Sequence, residues 1–322
     1  MIEVEGLTRY YGEFAAVQEA SFSIAEREIV GFLGLNGAGK STILKVLAGL
    51  LMPSAGSVRV GGVDALERPD ALRTKIGFLP EEPPLYREMR VREFLRWVGL
   101  AKGCSAKQVD DELPKVIELC DLGSMQHKVI AELSHGYRKR VGIAQAIIHR
   151  PEVVILDEPI SGLDPQQIVE MRNVVRSLKE RATVLISSHI LSEVALTCDR
   201  VLVIHRGRIV AEGPTDELSQ GGVSQTVTLT LRGDLAAVEA ALESSRAVTS
   251  SRVREADDMV RAEVALNEEA RARDQLVAHL VDAGIGVFGI QDAVSELERA
   301  FLQLTRGDTA ASPPAQPQEN AS

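Results

Sequence analysis

Positive charge is the first thing this chain is short of. Its 36 Lys and Arg face 46 Asp and Glu, a net charge of −10, so broad attraction to DNA, RNA or an anionic lipid surface is not expected. Cysteine is scarce too. Cys104, Cys120 and Cys198 lie far apart, which argues against a paired-cysteine metal or redox motif and predicts free thiols in a reducing compartment. No window offers the roughly 18 uncharged apolar residues that a spanning helix needs; the best stretch, 276–290, is broken by His279, Asp282 and glycines. The opening Met1-Ile2-Glu3-Val4-Glu5 has neither the basic start nor the apolar stretch of a secretory signal. If such a chain works at a membrane, a partner is expected to cross it.

What remains is ordinary globular material, 45% hydrophobic and 25% charged over 322 residues, enough for two compact units, or one large and one small. Residues 1–24 alternate apolar and polar around Gly12, as strands of an antiparallel edge sheet do. Glu28-Ile29-Val30-Gly31-Phe32-Leu33 reads as a buried strand entering a glycine-rich turn, with a helix over 41–50 ended by Gly49 and Pro53. Further buried strands are predicted at 153–156 and 183–187, with a helix over 166–180 between them and a hairpin over 201–211 about Arg206-Gly207. Strands alternating with helices predict an α/β core with a parallel sheet. Apolar spacing over 91–102, 107–120 and 134–149 predicts a helical lobe inserted at about 84–150.

A break falls at Ser219-Gln220-Gly221-Gly222. Beyond it the periodicity predicts strand 226–231, helix 235–242, strands 248–254 and 259–266, helix 268–282 and strand 286–290. That βαββαβ succession is the split pattern of a small ferredoxin-like α+β domain. A closing helix over 295–304 follows, and 307–322, rich in Ala, Ser, Pro and Gln, is expected to be a disordered tail.

Gly34-Leu35-Asn36-Gly37-Ala38-Gly39-Lys40-Ser41 fits the P-loop pattern at every defined position and lies between a predicted strand and helix. Glycines let backbone N–H groups close around phosphate where a side chain would collide, and the helix start adds its partial positive charge. Lys40 can reach the outer phosphates, and the Ser41 hydroxyl can ligate Mg²⁺. A second element, Val153-Val154-Ile155-Leu156-Asp157-Glu158, ends an apolar strand in two acids at the carboxyl edge of the sheet, where α/β proteins bind ligands. Neighbouring residues point to opposite sides, which suits Asp157 to the Mg²⁺ shell and Glu158 to the attacking water.

These two motifs leave kinases, GTPases, helicases and transporters open. The narrower feature is Leu133-Ser134-His135-Gly136-Tyr137-Arg138-Lys139-Arg140, where Ser134 is a good N-cap and Gly136 leaves backbone exposed at a helix start. Three cations in the first turns oppose the helix dipole, a cost that a phosphate there would offset, although consecutive positions cannot all face one ligand.

Taken together, these residues resemble the ABC ATPase family over about residues 1–220. Ser161-Gly162-Leu163-Asp164 looks like the family's D-loop, and His189 matches its switch histidine. Tyr11 is similar to the aromatic that stacks on adenine, with Tyr10 or plain packing as the other readings. The resemblance implies an ATPase with ATP and Mg²⁺ as cofactors. Tyr11, Gly34, Asn36, Gly37, Ala38, Gly39, Lys40, Ser41 and Thr42 would hold nucleotide; Glu158, His189 and Glu81 would act in hydrolysis; Ser41, Asp157 and Glu81 would serve the metal. Ser134 and Gly136 would contact the γ-phosphate on an opposite subunit. One cassette per chain implies a homodimer or heterodimer of nucleotide-binding subunits, driving a separate polytopic permease from the inner, cytoplasmic face of the cell membrane. No nucleic acid is expected.

The sequence also departs from the family pattern. His135 and Tyr137 stand where the usual signature has glycine and glutamine, and Glu81 stands where the Q-loop has glutamine. The combination of Leu79-Pro80-Glu81 with Leu133-Ser134-x-Gly136-Tyr137, together with Leu297-Glu298 to Leu304-Thr305, looks like a bacterial export-type branch containing gliding-motility, copper-system and multidrug ATPases. By the same likeness, residues 81–86 and the following helix form the groove that receives the permease, while Phe94 and Trp97 read as core packing. A soluble ABC protein acting on ribosomes or nucleic acid is the alternative; such proteins usually have two cassettes and basic segments. A small-molecule kinase should lack the signature helix and D-loop. The expected organisation is a nucleotide-binding domain over 1–220, an accessory domain over 225–306 and the tail.

Overall fold

The structure, a computed structural model, describes residues 1–65, 67–215, 226–256, 259–267 and 271–292. Residues 1–215 and 226–292 fall in two compact units. The break at 219–222, the closing helix over 295–304 and the tail over 307–322 lie outside the described residues, as does the expected boundary between 220 and 225.

The first unit opens with β1 (Ile2–Tyr11) and β2 (Phe14–Ile24), which with β4 (Ala55–Val60) and β5 (Val63–Asp64) make an antiparallel sheet in the order β2-β1-β4-β5. A six-stranded sheet has the order β10-β9-β3-β8-β7-β6. Its members are β3 (Ile29–Leu33), β6 (Ile76–Leu79), β7 (Val153–Leu156), β8 (Thr183–Ser188), β9 (Arg200–His205) and β10 (Arg208–Pro214). All its pairings are parallel except that of β9 with β10. β3 is buried at all five residues, because strands flank it on both edges and elements cover both faces; hence its unbroken apolar run. Helix α1 (Lys40–Leu47) is held by one apolar core drawn from both sheets: Ile43, Leu44 and Leu47 share it with Leu7 and Val58 of the first and Phe32, Ile155 and Leu202 of the second. Phe22 meets Phe32 edge to face at 5.4 Å. The phosphate loop is thereby fixed at both ends.

The expected lobe consists of α3 (Val91–Ala101), α4 (Ala106–Leu119) and α5 (His135–Ile147), with a single 3₁₀ turn, Ile130–Glu132. α4 starts with a reciprocal capping box between Ser105 and Gln108. The buried Glu112 of α4 accepts from Arg150 and Arg181, and the buried Arg140 of α5 pairs with Asp121 and Glu170. Of the latter, Glu170 lies in α6 (Pro165–Leu178), a helix of the core.

Five elements escaped the sequence reading: β4, β5, β6, α2 (Pro69–Lys75) and α7 (Leu191–Thr197). All are seven residues or shorter, too brief for a clear period. β6 is further disguised by Gly77, normally a weak strand residue. Here glycine is a steric requirement, since a Cβ at Gly77 would lie 2.0 Å from the Ala146 carbonyl oxygen of α5. Gly77→Ala is therefore expected to force β6 and α5 apart at a cost of about 3 kcal/mol, and to lower the melting temperature by roughly 6–12 °C. An unchanged melting temperature would show that the two elements do not pack this closely. The helix expected over 41–50 ends at Leu47, because the chain reverses through Gly49 at φ +66°.

The second unit runs β11 (Thr226–Arg232), α8 (Leu235–Ser244), β12 (Val248–Ala256), β13 (Met259–Leu266), α9 (Ala272–Asp282) and β14 (Gly286–Asp292). Its antiparallel sheet has the order β12-β13-β11-β14. Val227, Leu229 and Leu231 of β11 pack with Val260, Ala262 and Val264 of β13 against Val238, Leu242, Leu276 and Leu280.

Among the described residues, no helix is long and apolar enough to cross a membrane. All three cysteines are free. Burial pushes the Cys120 thiol up to about 12 and raises that of Cys198 as well, which removes both from thiolate chemistry near neutral pH.

Candidate functional site

Residues 34–39 connect β3 to α1, and their path is dictated by a close approach to β2. Gly39 caps α1 with φ +105°, and a Cβ there would meet the Ala16 carbonyl oxygen at 2.5 Å. No other residue fits that position. The first turn of α1 has N–H groups with no intrahelical acceptor, and they open toward a cleft of about 410 Å³. Lys40, only 5% exposed, donates from Nζ to the carbonyls of Gly34 at 2.7 Å and Leu35 at 3.2 Å. Burial lowers the pKa of its ammonium; the carboxylates of Glu158, Asp157 and Glu81 oppose that shift.

Asp157 and Glu158 follow the end of β7, both buried, and they look to different partners. Asp157 Oδ1 accepts from Ser41 Oγ at 3.2 Å and from Ser187 Oγ at 2.5 Å. The Glu158 carboxylate lies 3.6 Å from Lys40 Nζ and 3.1 Å from His189 Nδ1. Glu158 holds φ +48°, a left-handed conformation that a non-glycine residue keeps only when its surroundings enforce it. One enforcing contact is its N–H, which donates to Ser187 Oγ at 2.8 Å. Ser187 thus ties both acids to the end of β8. The sequence reading did not name it, yet a signal existed: two serines, Ser187 and Ser188, close an apolar strand in full burial.

The cleft is lined by Tyr11, Phe14, Asn36, Gly37, Gly39, Lys40, Ser41, Thr42, Glu81, Glu158 and His189, with Ala16 and Ser161. Gly34 and Ala38, also residues of the loop, do not line the cleft. Tyr11 and Phe14 face each other across the β1–β2 turn, 46% and 65% exposed, and form an aromatic rim. Tyr10 does not line the cleft. Phe14 was missed because only hairpin register brings it beside Tyr11.

Ser134 and Gly136 are not brought to this cleft. Ser134 caps α5, accepting from the Tyr137 N–H at 3.4 Å. The cations after them correct an expectation. They take acceptors within the chain: Arg138, half-buried, donates to the Leu133 carbonyl, and the buried Lys139 and Arg140 donate to the carbonyls of Glu81 and Glu158 and to the carboxylates of Asp121 and Glu170 respectively. Trp97 is a second correction. Phe94 is buried as expected, but Trp97 is 45% exposed and lines a separate groove of about 870 Å³ with Pro80, Pro83, Leu85, Tyr86 and Phe94.

Chemically, the cleft offers backbone donors and one buried ammonium to phosphates, an aromatic rim to a flat ring, and a carboxylate–imidazole pair to a water molecule. Hydroxyl Ser41 and carboxylate Asp157 form a hard-oxygen donor pair. Among the described residues there is no cluster of three or more metal-ligating acids, histidines or cysteines. The chemistry of the Ser41–Asp157 oxygen pair suits Mg²⁺, which commonly takes one or two protein oxygens and completes its shell with phosphate and water.

Comparison with known proteins points the same way. The family model described as "ABC transporter" matches residues 17–161. The bacitracin transport ATP-binding protein BcrA of Bacillus licheniformis is 38% identical over 222 residues, covering 68% of this chain and 72% of its own. The linearmycin resistance ATP-binding protein LnrL of Bacillus subtilis is 31% identical over 307 residues, 95% of this chain and 98% of its own. Among solved structures, the ATP-binding subunit of an ABC transporter superposes with a TM-score of 0.61 at 32% identity, covering 69% of this chain and 93% of that one.

Proposed function

The chain belongs to the ABC transporter family as an ATP-binding, ATP-hydrolysing subunit, and on that premise we propose that it is the motor of an exporter whose membrane part is a separate polypeptide. The observation that carries the reading is the convergence of Lys40, Ser41, Asp157, Glu158 and His189 on one cleft. Export, as distinct from uptake, is supported by relatives named for antibiotic transport and resistance.

Within the cleft, the loop N–H groups and Lys40 hold the triphosphate, and the aromatic rim of Tyr11, with Phe14 beside it, supports the base. Glu158 orients the attacking water and takes its proton; His189, hydrogen-bonded to that carboxylate, fixes its direction. Ser41, Asp157 and the carboxylate of Glu81 are the groups that would hold Mg²⁺, which when bound neutralises charge on the phosphates. Because Ser134 and Gly136 lie away from their own cleft, they serve the nucleotide of a second cassette, and two such chains, or this chain and a relative, close around two ATP molecules. Residues 1–220 make up this nucleotide-binding domain and residues 225–306 a ferredoxin-like accessory domain.

The groove beside the lobe is the docking surface for the membrane partner. Trp97 and Tyr86, 45% and 50% exposed, form with Phe94 an aromatic cluster with ring centroids 4.9–6.5 Å apart. The loop over 80–86 lines both cavities, giving Glu81 to the cleft and Pro80, Pro83 and Tyr86 to the groove. Through that partner the protein is held at the cytoplasmic face of the membrane. The test is purification of the tagged full chain from detergent-solubilised membranes. A polytopic membrane protein is expected to co-purify with the native chain and to be reduced by about tenfold with Trp97→Ala, the size expected for a central aromatic anchor. Recovery of RNA in place of a membrane protein would overturn the reading.

A further inference from the structure

Lys139 is the most deeply placed cation of the described chain, 1% exposed in α5. A lysine at that depth ordinarily rests on a carboxylate. This one forms no salt bridge among the described residues; its Nζ donates to two backbone carbonyls, those of Glu81 and, at 3.1 Å, of Glu158. Burial lowers its pKa, and the carboxylates of Glu81, Asp157, Glu158 and Glu82 act in the opposite direction. The two carbonyls belong to the loop shared by cleft and groove and to the turn that carries Glu158.

That turn needs restraint. Glu158 is left-handed at φ +48°; its N–H is fixed by Ser187 and its carbonyl accepts from Lys139 and, at 3.3 Å, from the Ser161 N–H. We propose that Lys139 is a positioning residue for hydrolysis, which pins the Glu158 turn and the 80–86 loop to α5 and so sets where the Glu158 carboxylate stands in the cleft. It touches no reacting atom. Because α5 is capped by Ser134, the residue read as facing the second cassette's nucleotide, the same helix makes each chain's hydrolytic geometry depend on how its opposite neighbour is held. The inference deepens the reading of Glu158 as the hydrolytic carboxylate and rests on it.

A double-mutant cycle on the full chain tests it, comparing native protein, Lys139→Met, Glu158→Gln and the combination, with Lys139→Gln as the conservative variant. Lys139→Met is expected to lower kcat by about tenfold while KM and the Kd for a fluorescent ATP analogue stay within about twofold, the pattern of an interaction that matters in the transition state. On the Glu158→Gln background it should cost less than about twofold more, since it acts through that residue. Lys139→Gln, which keeps two N–H donors, should recover part of the rate. Independent, multiplying losses in the cycle, or weakened nucleotide binding with kcat retained, would overturn the proposal. Should the methionine variant fail to fold by circular dichroism, the glutamine variant is carried through the same cycle under the same criteria. Absence of ATPase activity in the native chain would instead refute the function itself.

Discussion

Glu158→Gln is expected to reduce ATP turnover by about 10²-fold or more, the size of a lost general-base or water-orienting contribution, while leaving ATP bound. The substitution keeps the volume and planar shape of the side chain but removes the basic carboxylate that accepts the proton and the negative charge that faces His189, 3.1 Å away. It also removes one negative charge from a site where Asp157 and Glu158 are both buried, with Lys40 as the ammonium that lines the cleft beside them. Repulsion toward the phosphates falls, so affinity should hold or rise even as hydrolysis stops. If ATP is the adhesive between cassettes, the variant accumulates as an ATP-bound dimer. Size-exclusion chromatography with ATP and Mg²⁺ would read the dimer, and phosphate release the rate. Hydrolysis at the native rate would remove Glu158 from its assigned role; a strictly monomeric variant with ATP bound would remove the two-cassette mechanism.

Lys40→Ala is expected to abolish productive ATP binding, with Kd rising by about 10²-fold or more. A hydrogen bond to a charged group is worth about 1.5–3 kcal/mol, and an ammonium among phosphates makes more than one. The loss is compounded by what stays behind, since the carboxylates of Asp157, Glu158 and Glu81 would then act on a triphosphate with no Lys or Arg lining the cleft. Lys40→Arg should not rescue, because the ammonium sits within 2.7 Å of the Gly34 carbonyl in a space shaped for a compact head. Titration with a fluorescent ATP analogue measures this directly, and an unaltered Kd would show that the loop does not grip phosphate through Lys40.

The parts of the site legible in the sequence are those whose chemistry sits on contiguous residues. The 34–41 loop and the Asp157-Glu158 pair announce themselves, since a glycine turn between strand and helix, and two acids closing an apolar strand, have few other uses. The parts that were not legible depend on what lies opposite. Phe14 reaches the cleft by hairpin register with Tyr11. Ser187 matters because β8 runs parallel beside β7 and brings its end level with the acids. Trp97 carries the apolar spacing of a core residue, and only the path of the 80–86 loop decides that it borders an open groove. Lys139 looked like one of three misplaced charges at a helix start; its acceptors lie 58 and 19 residues away in sequence. The same logic governs the fold: long periodic strands and helices were visible, whereas β6, four residues with Gly77 in the middle, takes its form from the carbonyl of α5 packed over it.

The loop over 80–86 contains Pro80, Pro83 and Pro84, and each proline removes one backbone rotation. A segment so stiffened has little compliance, so a membrane partner docked in the groove as proposed would deliver its shift to Glu81 with little lost to bending. Force in the other direction is conserved equally well. Such a strut favours transmission by small rigid displacements and leaves little room for the nucleotide cleft to fluctuate independently of the groove.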